Sequence, residues 1–261
     1  MKIATWNVNS VRKRTGHLVD WLKRTQPDIV VLQEIKAQEP QFPRLEVEAA
    51  GYRAEIVGQK GFNGVALLSR HPVEITARTL PDPAADEPAR YIEGRVQTAR
   101  GPLTVGGLYL PNGNPIGTEK FVYKIAWMDR LLQRARTLLK REEMFVLGGD
   151  YNVCPTDLDV FSPAAFADDA LCQPQSRAAL RTLLNLGLTD AVRAMLADDV
   201  LYTFWDYQAG AWPRNNGLRI DHLLLSPQAA DRLAGVGIDK EERGRPEASD
   251  HVPVWCELDA A

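Results

Sequence analysis

The chain is poor in the residues that build disulfide frameworks and zinc sites. It has three cysteines, Cys154, Cys172 and Cys256, and four histidines among 261 residues. Three thiols, odd in number and widely spaced, suit reduced side chains of a cytosolic protein, and no Cys/His group has zinc spacing. No apolar run approaches the roughly eighteen residues that a membrane span requires. The opening residues are strand-like from Lys2 and lack a signal-peptide layout. The expectation is a cytoplasmic protein without a membrane partner. Strong charge of one sign is missing too, since the net charge is −3. That is not the basic surplus usual for a nucleic-acid-binding surface. Locally the picture differs: Arg12-Lys13-Arg14 is a basic group, and residues 120–141 hold seven basic side chains against one internal acid, Asp129. Such a stretch is as readily a solvated helix face as a binding surface.

What the chain does have is a recurrent pattern of apolar stretches that end in polar residues of one chemical kind. Ile3-Ala4-Thr5-Trp6 runs into Asn7, and Ile29-Val30-Val31-Leu32 into Gln33-Glu34. Val105 to Leu108 runs into Tyr109-Leu110-Pro111-Asn112, and Phe145-Val146-Leu147 into Gly148-Gly149-Asp150-Tyr151-Asn152. Leu218-Arg219-Ile220 leads to Asp221, and Ser249-Asp250-His251 precedes Val252. Paired strands would gather these endings at one rim, placing carboxylates, amides, a phenol and an imidazole in one cleft. That inventory suits a hard divalent cation and a phosphate ester.

Periodicity predicts strands over residues 3–8, 28–32, 52–57, 65–69, 91–98, 103–109, 145–147, 202–206, 220–225, 236–239 and 252–258. It predicts a helix from 11 to about 24 N-capped by Ser10, one over 118–141, and one N-capped by Ser176 and ended by Gly187. In the long helix, Phe121, Ile125, Met128, Leu132, Ala135 and Leu139 form the expected apolar stripe. Residues 81–88 read as a stiff acidic loop, too short to separate domains. With candidate residues spread from 7 to 251, the expectation is one domain over 1–261, sheets in the middle and helices outside.

Each motif alone is weak; a lone Glu after a strand is more often a solvated strand end. In order, however, come Thr5-Trp6-Asn7-Val8-Asn9-Ser10, Leu32-Gln33-Glu34-Ile35-Lys36, Gly64 to Arg70, Tyr109-Leu110-Pro111-Asn112-Gly113, Gly148-Gly149-Asp150-Tyr151-Asn152, Gly217 to Asp221 and Ser249-Asp250-His251. This set resembles the exonuclease III family of abasic-site endonucleases, in the endonuclease/exonuclease/phosphatase superfamily that also holds deoxyribonuclease I. The resemblance covers essentially the whole chain. It implies an α/β fold, a four-layer sandwich of two packed mixed β-sheets flanked by helices. It implies a magnesium-dependent nuclease, with manganese as a substitute. Such an enzyme cuts double-stranded DNA 5′ to an abasic site and trims 3′ ends or nicks, as a monomer. The alternatives are a superfamily phosphodiesterase acting on RNA or a phosphorylated small molecule, and a catalytically inactive DNA-binding relative.

The chemistry assigns expected roles. Glu34 is the candidate metal ligand, with Asn7 and Asp250 as further ligands, direct or through water. Asp150 orients or deprotonates the attacking water with Asn152 beside it; the reverse role, protonating the leaving oxygen, stays open. His251 paired with Asp221 carries positive charge towards a phosphate oxygen. Tyr109 and Asn112 donate hydrogen bonds to the phosphate or its transition state. The resemblance places Asn9 and Arg12 against phosphates and Lys60, Phe62 and Asn63 on a loop entering the minor groove. Phe204 and Trp212 are expected to wall a pocket for an extrahelical sugar or to wedge into the base stack, with core packing as the alternative. The chain departs from some relatives at Gly113-Asn114-Pro115, where they carry an arginine, and at Leu218, where they carry a tryptophan.

Overall fold

The computed structural model describes residues 1–82 and 88–260. Most of the expected acidic loop, 83–87, lies outside the described residues. Among the described residues twelve strands follow in chain order: β1 (Lys2–Asn7), β2 (Ile29–Gln33), β3 (Arg53–Val57), β4 (Val65–Ser69), β5 (Glu74–Ala77) and β6 (Tyr91–Thr98). Then come β7 (Gly101–Tyr109), β8 (Met144–Asp150), β9 (Thr189–Asp190), β10 (Asp221–Leu225), β11 (Leu233–Ile238) and β12 (Val254–Leu258). They form two six-stranded sheets, ordered β11-β12-β1-β2-β4-β3 and β5-β6-β7-β8-β10-β9. Each sheet has one central parallel pair, β1 with β2 and β7 with β8, between antiparallel neighbours.

Alternation along the strands explains the layers. Ile3, Ile29, Val31, Val65 and Leu67 face Ile92, Val105, Val146 and Leu223 of the other sheet in one core. Their neighbours Ala4, Trp6, Val30 and Leu32 point outward and are covered by α1 (Thr15–Thr25) and α2 (Arg44–Ala49). On the far side Leu108, Phe145 and Leu147 pack beneath α3 (Glu119–Leu139) and α4 (Pro174–Leu184). Short helices α5 (Ala191–Met195) and α6 (Pro227–Ala230) close the core between the sheets, to which Ala191, Val192 and Ala229 belong. The result is the expected four-layer sandwich. Close approach of the strands is built in at Gly149: a Cβ there would lie 2.0 Å from the Leu108 carbonyl oxygen.

Four sequence expectations are corrected. The first helix starts at Thr15, not residue 11, because Asn9 and Ser10 take positive φ (41° and 88°) and the Arg14 side chain folds back. Its guanidinium donates to the carbonyls of Asn9, Glu247 and Ala248. Ser176 is not an N-cap: Pro174 opens α4, with Gln173 at the cap, and the Ser176 hydroxyl donates to the Ala170 carbonyl at 2.7 Å. Residues 202–206 form no strand; Phe204 makes only isolated bridges to Leu218 and His251. The buried face of α3 is rotated from the expected stripe and runs through Lys124, Trp127, Met128, Leu131, Ala135 and Leu138. No helix among the described residues is long and apolar enough to cross a membrane.

Candidate active site

The rim is set by strand register. β1 and β2 run parallel, so Asn7 at the end of one sits beside Gln33 and leads to Glu34. β7 and β8 are also parallel and pair Tyr109 with Asp150 at their common end. β10 is antiparallel to β8 and begins opposite that end, pairing Asp221 with Asp150. His251 arrives just before β12, which is antiparallel to β1. Two sheets thus bring chain-distant groups to one edge.

The contacts confirm convergence. The Asn7 amide donates to Glu34 Oε1 at 2.9 Å and to Asp150 Oδ2 at 3.0 Å, joining the two sheets. Asp150 Oδ1 accepts from the backbone N–H of Asn152 at 2.9 Å. His251 Nδ1 meets Asp221 Oδ2 at 2.9 Å, and its Nε2 lies 3.8 Å from Asp150 Oδ2. Asn112 Nδ2 donates to Asn152 Oδ1 at 3.1 Å. Glu34, Asp150 and His251 each present a ligand atom within 4.8 Å of the others. Two carboxylates at that spacing are hard oxygen donors of the kind magnesium and manganese take, so the donor set fits a divalent ion. Asp221 Oδ1 is buried without a hydrogen-bond partner. Asp250 is outside this trio, with Oδ1 accepting from the Asn9 amide at 3.0 Å.

Electrostatics sort the groups. Burial raises the Asp150 pKa to about 7, helped by Asp221 and opposed by the His251 charge. For His251 burial opposes the charged form, but Asp221 and Asp150 outweigh it and lift the pKa to about 10. Burial also works against charged Glu34, yet Lys36 and the Asn7 amide hold its pKa below the ordinary value. Burial, with Glu34 and Asp150 close by, keeps the Tyr109 phenol protonated as a donor.

The groups expected to hold the polymer flank this centre. Arg12 and Lys60 are exposed, and Phe62 is 72% exposed. Asn63, at φ 47°, donates to Gln59 at 2.9 Å. The Phe204 ring packs edge-on against His251, centroids 4.9 Å apart. It lines a cleft of about 390 Å³ together with Asn112, Phe161, Phe166, Leu171 and Leu218. Trp212 is not part of that lining; it packs on Trp205, centroids 5.0 Å apart, with Lys240 and Arg243 near its ring.

Three residues escape a reading of the sequence. Lys36 Nζ bonds Glu34 Oε2 at 2.8 Å and Asn9 Oδ1 at 2.5 Å; its place two residues after Glu34 is the available signal. Thr203 Oγ1 donates to Asp221 Oδ2 at 2.6 Å and accepts from the Asp221 N–H at 3.2 Å, and nothing in an apolar segment marks it. Lys124 donates to the carbonyls of Asn112 and Asn152, and its helical spacing from Trp127, Met128 and Leu131 is the clue.

Fold and rim together define a phosphodiester hydrolase with a place for a divalent ion. The chain belongs to the Endonuclease/Exonuclease/phosphatase family, whose model matches residues 4–251. It is similar to exodeoxyribonuclease III of Haemophilus influenzae, 34% identical over 99% of this chain and 100% of that protein. Among solved structures it is similar to a variant of the 3′ phosphatase NExo from Neisseria bound to a product DNA hairpin, at 36% identity and TM-score 0.95, covering 99% of each chain. An AP endonuclease from Archaeoglobus fulgidus is similar at 34% identity and TM-score 0.93, again over 99% of each chain.

Proposed function

We propose that the protein is a magnesium-dependent DNA repair nuclease that hydrolyses the phosphodiester 5′ to an abasic site and trims 3′ ends at nicks. The observation that carries this reading is the junction of Asn7, Glu34, Asp150 and His251 at one rim, in a chain similar over 99% of its length to an exodeoxyribonuclease III and over 97% to the DNA repair nuclease APEX1 of Danio rerio. Glu34 is the first candidate to hold the ion, with Asn7 orienting its carboxylate and that of Asp150, and Asp250 contributing through water. When bound, the ion supplies positive charge to the scissile phosphate and polarises its oxygens.

The chain's own groups divide the remaining work. With a pKa near 7 from burial, Asp150 is suited to take a proton from the attacking water. The Asn152 backbone fixes that carboxylate. His251, doubly protonated beside Asp221, gives a phosphate oxygen positive charge and a hydrogen bond through Nε2. The Tyr109 phenol and Asn112 amide donate to the other oxygens as negative charge builds in the transition state. Arg12 and Asn9, and Lys60, Phe62 and Asn63 on a second loop bordering the same depression, hold the duplex beside the centre, and the Phe204–Leu218 cleft receives the sugar. Trp212 packs with Trp205 in the cluster that also holds Ala211, which lines that cleft.

A duplex with one abasic site, incubated with magnesium or with EDTA, tests this. Nicking on the 5′ side of the lesion only with the ion is the expected result. Cleavage of a phosphorylated small molecule in place of the duplex would overturn the substrate, and binding without cutting would overturn the enzyme. The reading also takes the protein to be a cytoplasmic monomer, which sedimentation on the duplex checks for stoichiometry.

A further inference from the structure

Lys124 is a buried charge that the hydrolytic steps above leave unused. It lies in the second turn of α3, wholly buried, in line with Trp127, Met128 and Leu131. A long apolar side chain would pack in that row without taking an ammonium out of water, a transfer that opposes folding. Burial accordingly draws its pKa down to about 8. Something at this position requires a cation, and the hydrogen bonds identify it.

The ammonium donates to three backbone carbonyls: Asn152 at 2.6 Å, Asn112 at 3.0 Å and Ala170 at 3.2 Å. Three acceptors match the three N–H bonds of a charged lysine. The carbonyls belong to three irregular segments, after β7, after β8 and before α4. Space for the lysine is cleared at Gly113, where a Cβ would lie 2.6 Å from Lys124 Cδ and where φ is +88°. Asn114 ties two of the same segments, donating to Asp169 Oδ1 at 3.1 Å and accepting from the Ala170 N–H at 2.9 Å. Beyond the lysine, the Asn112 and Asn152 side chains meet at 3.1 Å, and Asn112 lines the cleft. The Asn152 amide is itself held by the Leu110 carbonyl at 2.9 Å, so with both main-chain carbonyls fastened to one nitrogen the Asn112 amide is set from behind and against a fixed neighbour.

We propose that Lys124 is a positioning residue for phosphodiester hydrolysis: by clamping the main chain of Asn112 and Asn152 it holds the Asn112 amide towards the scissile phosphate and the Asn152 N–H on Asp150. It touches no substrate and acts through the two asparagines. The proposal rests on the nuclease reading above, and wild-type nicking in the same assay tests that reading separately.

The test is a double-mutant cycle on the full chain, read as the saturating single-turnover rate of nicking the abasic duplex. Lys124→Met should lower that rate about tenfold or more, with half-saturation moving less than about threefold. In a background of Asn112→Ala and Asn152→Ala the same substitution should change the rate less than about twofold. Equal losses in both backgrounds would make Lys124 a folding element only and overturn the proposal. An unchanged rate in folded Lys124→Met would also overturn it. If the methionine variant does not fold, Lys124→Gln, which keeps two N–H donors, is judged by the same two criteria.

Discussion

At the residue scale, the site contrasts groups that hold a charge with groups that hold a proton. Glu34 stays ionised through Lys36 and Asn7, whereas Asp150 is driven towards its neutral form by burial. Replacing Glu34 with alanine should therefore remove the ion rather than the fold. Nicking should fall by more than the roughly 10–100-fold typical of losing an outer partner of a metal ligand, while the urea midpoint barely moves. Undiminished nicking at low magnesium would remove Glu34 from the site. His251 makes a prediction about stability. Its pKa is raised from 6.5 to about 10, so the folded state binds its proton more tightly than the unfolded chain does. That contribution is fully present below pH 6.5 and is lost as pH rises through about 10. In EDTA, the stability advantage of the wild type over His251→Asn should shrink steadily between pH 6.5 and pH 10. Urea unfolding across that window checks it, and a constant gap would show that Asp221 does not hold the imidazole charged.

At the element scale, strands present the site and helices cover it, and the two are unequally legible. β4 and β6 match their expected bounds residue for residue: β4 is an apolar run buried on both faces, whereas β6, with Glu93, Arg95 and Gln97, is delimited by the tight turn at Ala99-Arg100 into β7. β5 has no counterpart among the expected strands: its residues alternate between exposed and half-buried at a sheet edge, and Glu74-Ile75-Thr76-Ala77 carries little hydrophobic signal. The buried α3 stripe keeps Met128 and Ala135 of the expected one and turns from its other positions towards Trp127, Leu131 and Leu138, with the lysine Lys124 in a buried place. For the same reason the asparagines are legible and their clamp is not. Asn7, Glu34, Asp150 and His251 announce themselves at strand ends, whereas Thr203 and Lys124 act on groups far away in the chain. The Gly148-Gly149 pair shows how narrowly the strand delivering Asp150 is placed. A Cβ on Gly148 meets the end of the Leu223 side chain at 2.7 Å, which can turn aside. A Cβ on Gly149 meets the Leu108 backbone oxygen at 2.0 Å, which cannot. Gly148→Ala should thus stay within the ~1–3 kcal/mol of ordinary overpacking, and Gly149→Ala should exceed it and also displace Asp150. Equal urea midpoints for the two variants would contradict this account of β7–β8 packing.

At the scale of the whole molecule, a net charge of −3 and a polyanionic partner are reconciled by where the charges sit. Glu34, Asp150, Asp221 and Asp250 are gathered at the cleft, where the divalent ion of the proposed reaction would offset them. Arg12, Lys13 and Lys60 stand exposed on the segments beside it, with Lys36 partly exposed between them. On the proposed reading, a duplex approaching the rim would meet cations first and the acidic centre only at the ion site. Phosphate contacts release condensed counterions, so the logarithm of the binding constant should fall linearly with the logarithm of salt concentration, at about 0.9 per phosphate neutralised. Removing one such contact should reduce that slope by about one without changing sequence preference. Arg12→Ala and Lys60→Ala are each expected to do so, and the double variant to lose about two, since the residues lie on different loops. The measurement is binding of a non-cleavable duplex, with calcium in place of magnesium, over a salt series. A slope left untouched by both substitutions would take these loops out of the DNA path. A flat salt response in the wild type would remove the duplex itself as the partner, because no other force in the complex depends on salt in this way.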